Sequence, residues 1–155
     1  MIVLDTNVIS ELMRPVPDAR VIAWVDAQDA IAVTATTVAE LQYGVARLPA
    51  GAHKAKLADA IRELVDVRLK DKVLAFDRAA ASHYARIAAD RESAGRPISV
   101  ADAQIGAACR ECKASLATRN VPDFEDIGIT LVNPWTGQVI PGQSRGASPG
   151  LDAGA

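Results

Sequence analysis

Short apolar runs set between longer stretches of helical periodicity constrain this chain more than any other feature. Ile2-Val3-Leu4 is a three-residue, largely β-branched run, and Ile31-Ala32-Val33, Val73-Leu74-Ala75-Phe76, Ser115-Leu116-Ala117 and Ile129-Thr130-Leu131-Val132 resemble it. Runs this short, without polar alternation, suit strands buried on both faces. Between them the apolar positions step at helical spacing, as in Val38, Leu41, Val45 and Leu48. Strands that alternate with helices are joined by crossovers. The pattern predicts an α/β fold with three α/β/α layers around a central, mostly parallel sheet of roughly five strands.

The punctuation agrees. Asp5-Thr6-Asn7 supplies capping groups after the first strand, Asp18 opens a helix after Pro15 and Pro17, and Thr36 or Thr37 is expected to cap the next. Leu57, Ile61, Leu64 and Val65 predict continuous helix within residues 51 to 68. Asp77 opens an alanine-rich helix to about Ala94, Gly95-Arg96-Pro97 forms a loop, and Ser99 caps a helix to about Lys113. Residues 137–155 hold five of the ten glycines and two prolines, with few large apolar side chains. The expected organisation is one domain over residues 1–136 and a flexible Gly/Pro/Ala-rich tail over 137–155.

Half of the 155 residues are apolar, enough for a substantial core. A formal net charge of −2 excludes a generally basic nucleic-acid sheath, so any such contact is local or bridged by metal. Two cysteines are too few for a disulfide framework, which fits a reducing compartment. No apolar run reaches the roughly 18 to 20 residues of a membrane span, and the start meets Asp5 at once, unlike a signal peptide. A cytoplasmic location is expected. Cys109 and Cys112 fall late in a helix, where packing and not redox chemistry is expected. His53 and His83 are read as surface or structural residues.

An open parallel sheet binds ligands beyond the carboxyl ends of its strands. Asp5 directly follows the first strand, Glu40 and Asp102 are expected in the first turns of helices, and Asp123 follows the strand ending near Ala117-Thr118. Each acid alone is explained by capping or by the helix dipole. Four at equivalent places would converge on one sheet edge. Clustered carboxylates repel one another unless a cation neutralises them, and an all-oxygen set suits Mg²⁺ or Mn²⁺ over zinc. Such an ion polarises phosphoryl oxygens and activates water, so the chemistry suggested is metal-assisted phosphodiester hydrolysis.

Asp5-Thr6-Asn7, Ala39-Glu40-Leu41, Ser99-Val100-Ala101-Asp102-Ala103, and Thr118-Arg119-Asn120 with Asp123-Phe124 resemble the four motifs of the PIN domain. The likeness is strongest to VapC-type toxins of the FitB-like branch, supported by Gly95-Arg96-Pro97-Ile98-Ser99 and Val132-Asn133-Pro134-Trp135, and it runs from residue 1 to about 136. The resemblance implies a metal-dependent endoribonuclease, the toxin of a toxin–antitoxin pair, with RNA as substrate. It also implies a homodimer and a DNA-binding, VapB-like antitoxin as partner. It assigns Asp5, Glu40, Asp102 and Asp123 as catalytic acids, with Asp5, Asp102 and Glu40 at the metal and Asn7, Thr118 and Asn120 as supporting polar groups. In the last loop either Asp123 or Asn120 can stand nearest the metal.

Residues 47 to 72 carry seven Lys/Arg against four Asp/Glu, whereas residues 1 to 46 carry two against six. A solvated helix face explains the basic stretch, and guidance of RNA phosphates is the sharper reading. Arg47 and Arg119 neighbour the motifs and are the individual candidates for substrate binding. Trp24 and Trp135 read as packing or interface residues. Two other functions share part of this pattern. A catalytically weak, antitoxin-binding subunit would need no metal, and an aspartate-nucleophile phosphatase would require a second Asp where Asn7 stands.

Overall fold

In the computed structural model, which describes residues 1–143, the central strand is the first one. β1 (Ile2–Leu4) lies between β2 (Ile31–Thr34) and β4 (Ser115–Ala117), parallel to both. The sheet extends outward to β3 (Val73–Leu74) on one side and to β5 (Leu131–Asn133) and β6 (Gln138–Ile140) on the other, in the order β3-β2-β1-β4-β5-β6. Five strands are parallel; β6 runs antiparallel to β5 and pairs Val139 with Val132.

The sheet thus has six strands where about five were expected, and the additional one lies in the stretch read as tail. β6 was hard to see because Gln138 and Val139 are exposed and Gly137, at φ +74, makes the tight reversal before it. Residues 144–155, the rest of that stretch, lie outside the described residues.

Side chains of successive strand residues enter opposite cores. Val3, Ala32, Leu116 and Leu131 pack on one face with α5 (Arg78–Ser93) and α6 (Val100–Glu111). Leu4, Val33 and Ala117 pack on the other with α1 (Thr6–Leu12), α2 (Ala19–Asp26), α3 (Ala35–Ala46) and α4 (Ala52–Arg62). This is the three-layer α/β/α arrangement. Burying each large aliphatic side chain contributes about 1.5–3 kcal/mol, so two-residue and three-residue strands suffice when both faces are covered.

Two local details depart from expectation. Thr34, not Thr36 or Thr37, caps α3: its hydroxyl accepts from the Thr37 amide at 3.0 Å. The helix therefore starts earlier and Glu40 falls in its second turn. The 51–68 stretch divides into α4 and a π-helical turn over Glu63–Arg68, where the Leu69 amide donates to the Leu64 carbonyl five residues back at 2.9 Å. As the Gly95-Arg96-Pro97 loop predicts, α6 follows α5 directly. Gly95, at φ +70, ends α5 with its own amide on Glu92 and the Arg96 amide on Arg91, and Pro97 prevents continuation. The reversal turns α6 so that its first turn, with Ser99 capping Asp102, comes to the site.

Candidate active site

Asp5 ends β1 at the point where chain connections leave the sheet in opposite directions, towards β2 on one side and β4 on the other. It is both a cap and the most enclosed acid of the set, 4% exposed. Its Oδ1 accepts from the Thr6 amide at 2.8 Å, while Oδ2 accepts from the Thr118 hydroxyl at 2.7 Å and from Asn7 Nδ2 at 2.8 Å. A carboxylate has about four lone-pair sites. Both on Oδ2 are taken, so Asp5 retains acceptor capacity only on Oδ1.

Its donors are themselves held. Asn7 Nδ2 also donates to Thr118 Oγ1 at 3.2 Å, and Asn7 Oδ1 accepts from the Arg119 amide at 3.1 Å. Thr118 is fully buried, and its hydroxyl oxygen accepts from the Asn120 amide at 3.0 Å. Thr6, which sequence reasoning did not single out, donates its hydroxyl to Glu40 Oε2 and so couples the first acid's helix to the second acid. Its signal was available in the Asp5-Thr6-Asn7 triplet, since a hydroxyl beside a capping acid faces the same sheet edge.

The electrostatics tie the four acids together. Burial pushes the Asp5 carboxyl up to about 6, against the lowering effect of Thr118 and Thr6, and the negative charges of Asp102 and Glu40 act in the same direction as burial. Burial likewise raises Asp102, and the charges of Asp123 and Glu40 raise it further. Asp123, exposed in the first turn of α7 (Val121–Phe124), is thus close enough to act on Asp102. Asn120 contributes its backbone: its carbonyl accepts from the Asp123 amide at 3.0 Å, and among the described residues its side chain makes no capping bond.

Arg91 was missed altogether, and nothing in its spacing marks it. It is buried at the end of α5, donates Nη1 to the Glu125 carbonyl at 2.9 Å, and lowers the Asp102 pKa. Arg119 lies at the rim of the site, whereas Arg47 ends α3 seven residues beyond Glu40, with its guanidinium 5.3 Å from the Tyr43 ring centroid. At 1.5 Å per residue that places Arg47 about 10 Å along the helix from the acids. The structure does not gather it with them. Of the side signals, Cys109 is buried and its thiol is raised by burial, Cys112 is exposed, and His83 pairs with Glu111 at 3.0 Å.

A model of the PIN domain matches residues 2–129. The chain belongs to the PIN domain family. This PIN domain is 41% identical over 137 residues to a VapC ribonuclease of Sinorhizobium fredii, covering 87% of the chain and 98% of that protein. It is 37% identical over 137 residues to toxin FitB of Neisseria gonorrhoeae, covering 87% and 99% respectively. Among solved structures, FitAB bound to a DNA fragment superposes with a TM-score of 0.82 at 36% identity, over 87% of this chain and 96% of that one.

Among the described residues, no three His, Cys, Asp or Glu side chains form a closed metal-ligand cluster. The donors nevertheless fit a hydrated hard cation. They are all oxygen, Asp5 is a buried carboxylate with one free acceptor edge, and Mg²⁺ retains several waters between itself and protein groups. Asp5, Asp102 and Glu40 would be the residues to hold it.

The raised Asp5 pKa has a measurable consequence in metal-free protein. A carboxyl at about 6 when folded and 3.8 when unfolded is protonated preferentially in the folded state. Its stabilising effect is complete below pH 4 and is lost as pH rises through 6, a difference on the order of 2–3 kcal/mol. In EDTA, the wild-type unfolding free energy is expected to fall by that amount relative to Asp5→Asn between pH 4 and pH 7.5. Urea titrations of both proteins test it, and parallel pH profiles would show that Asp5 is not strained by its burial.

Proposed function

We propose that this PIN domain is a Mg²⁺- or Mn²⁺-dependent endoribonuclease acting as the toxin of a toxin–antitoxin pair. The observation that carries the reading is the Asp5 carboxylate, buried, oriented by three donors and faced by the charges of Asp102 and Glu40. Relatives named as a VapC ribonuclease and as toxin FitB supply the substrate class and the setting.

Asp5 and Asp102, with Glu40, would hold the ion, which when bound neutralises the acids, polarises a phosphoryl oxygen and acidifies water. Thr118, Asn7 and Thr6 fix the rotamers of Asp5 and Glu40, so the acids need no rearrangement when substrate arrives. Asp123 accepts the proton of the attacking water as the water oxygen joins phosphorus and the bond to the leaving ribose oxygen breaks, that oxygen taking a proton from solvent. An aspartyl-phosphate route fits less well, because Asn7 stands where the second Asp of such a site would be and cannot exchange a proton with the leaving group.

The partner that fits an acidic site is an antitoxin that inserts Arg or Lys near Asp5, Glu40 or Asp102, in place of the metal. FitAB and VapBC structures with DNA make a DNA-binding antitoxin the natural candidate. The acidic balance of this chain leaves the DNA contacts to that partner. Homodimerisation belongs to the same reading and is measured by sedimentation. The deciding experiment is chelation. Purified protein is expected to cleave single-stranded RNA in Mg²⁺ or Mn²⁺, to lose at least 10²-fold in rate in EDTA, and to recover on adding back either ion. Full activity in EDTA would overturn the metal-dependent reading.

A further inference from the structure

The rim of the acid site carries a planar group that the hydrolytic reading leaves unused. Arg119 follows Thr118 directly, and its amide donates to Asn7 Oδ1, so its backbone is fixed to both residues that orient Asp5. Its guanidinium Cζ lies 4.0 Å from the centroid of the Trp135 ring. The ring is 8% exposed, set among Leu4, Val8 and Ile9, so it supports the guanidinium from below and is closed to a ligand itself. The Arg119 side chain is 51% exposed, which leaves its other side open to solvent.

Glu11 holds the group laterally. This acid is buried on α1, accepts from the Asp18 amide at 2.8 Å and from Arg14 at 3.2 Å, and lies 3.5 Å from Arg119 Nη2. The contacts therefore do two things to Arg119. They fix its plane, and they offset part of its charge with a carboxylate that substrate cannot displace. A phosphate clamp needs an uncompensated cation, whereas a stacking surface needs a fixed flat one. Arg119 has the properties of the second.

We propose that Arg119 is a shelf on which an unpaired nucleobase stacks, next to the phosphodiester at the acids. The inference rests on the ribonuclease reading and adds to it a seat for one unpaired base beside the scissile bond. Aromatic residues make up 4% of the chain and Trp135 is covered, so the guanidinium takes the part that aromatic rings play in other single-strand binders. A base within a duplex is already stacked on both sides and cannot use the shelf.

The test uses the full chain carrying Asp5→Asn to suppress cleavage. Its ligands are short single-stranded RNAs with 2-aminopurine at one position at a time, and the corresponding duplexes. With Arg119 present, fluorescence at one position is expected to be quenched on binding, and the single strand is expected to bind about tenfold tighter than the duplex. Arg119→Lys keeps the charge and loses the plane. It is expected to abolish the quenching and weaken single-strand binding about tenfold, with the salt dependence unchanged. If Arg119→Lys binds and quenches like its parent while Arg119→Ala binds more weakly with a shallower salt dependence, Arg119 is a phosphate contact and the shelf is overturned. If neither substitution alters binding, Arg119 serves only to close Glu11 and Trp135, and the shelf is likewise overturned. If the wild-type chain, with Asp5 intact and Mg²⁺ or Mn²⁺ supplied, cleaves no RNA of either form, the ribonuclease reading falls and the shelf with it.

Discussion

Asp5→Asn is expected to reduce RNA cleavage by about 10³-fold or more and to weaken Mn²⁺ binding at least tenfold, while the protein stays folded. The fold survives because two effects of the substitution oppose each other. Removing a buried charge relieves a cost on the order of 2–3 kcal/mol at neutral pH. With the amide oxygen in the place of Oδ2 the Thr118 and Asn7 bonds persist, and the only mismatch is the amide nitrogen against the Thr6 N–H, at a cost of about 1–3 kcal/mol. Metal binding has no such compensation, since the lost charge is the one enclosed where the cation belongs. Single-turnover cleavage, Mn²⁺ titration and thermal unfolding of the one variant check all three parts. Cleavage at the wild-type rate would reduce Asp5 to a helix cap.

Asp123→Asn should separate chemistry from metal binding. Asp123 is exposed and acts on Asp102 through its charge, without a hydrogen bond to Asp5, Glu40 or Asp102 among the described residues. Solvent screening at an exposed site keeps the loss of that charge small for the first ion, so Mn²⁺ affinity is expected to change by less than about threefold. The loss of a proton acceptor is not screened. Turnover is expected to fall on the order of 10²-fold, the usual scale for a general base. Unchanged turnover would return Asp123 to a turn residue after Pro122. A large loss of Mn²⁺ affinity would make it a direct metal ligand.

The parts legible in the sequence were those with local causes. Ile2-Val3-Leu4 reads as a buried strand from three residues, and Asp5 as the group at its end. Asp18, Asp77 and Ser99 cap the helices that they were expected to open, each by a side-chain oxygen accepting a nearby amide. What was illegible had distant causes. β6 exists because β5 offers an unpaired edge, which its own exposed residues do not announce. The start of α3 depended on Thr34, a residue that also ends β2 and so reads as strand. Arg91 reaches the site only because Gly95 and Pro97 turn α6 back along α5, bringing Asp102 and Glu125 to one place. The stacked pair of Arg119 and Trp135 joins the ends of neighbouring strands, and a single sequence carries no sign of such a meeting.

The hydrogen bond from Thr118 to Asp5 spans 113 positions, and it has a consequence for the order in which the chain acquires its properties. During translation β1 emerges first and remains a strand with an open edge until β4 arrives to pair with it. Until then the Asp5 carboxylate lacks its hydroxyl donor, and Asp123 has not been made. At about 5–20 residues per second, several seconds separate the first acid from the last. On the proposed reading, the nascent polypeptide is therefore expected to be chemically silent for most of its synthesis, and a premature stop codon anywhere before Thr118 is expected to yield an inert product.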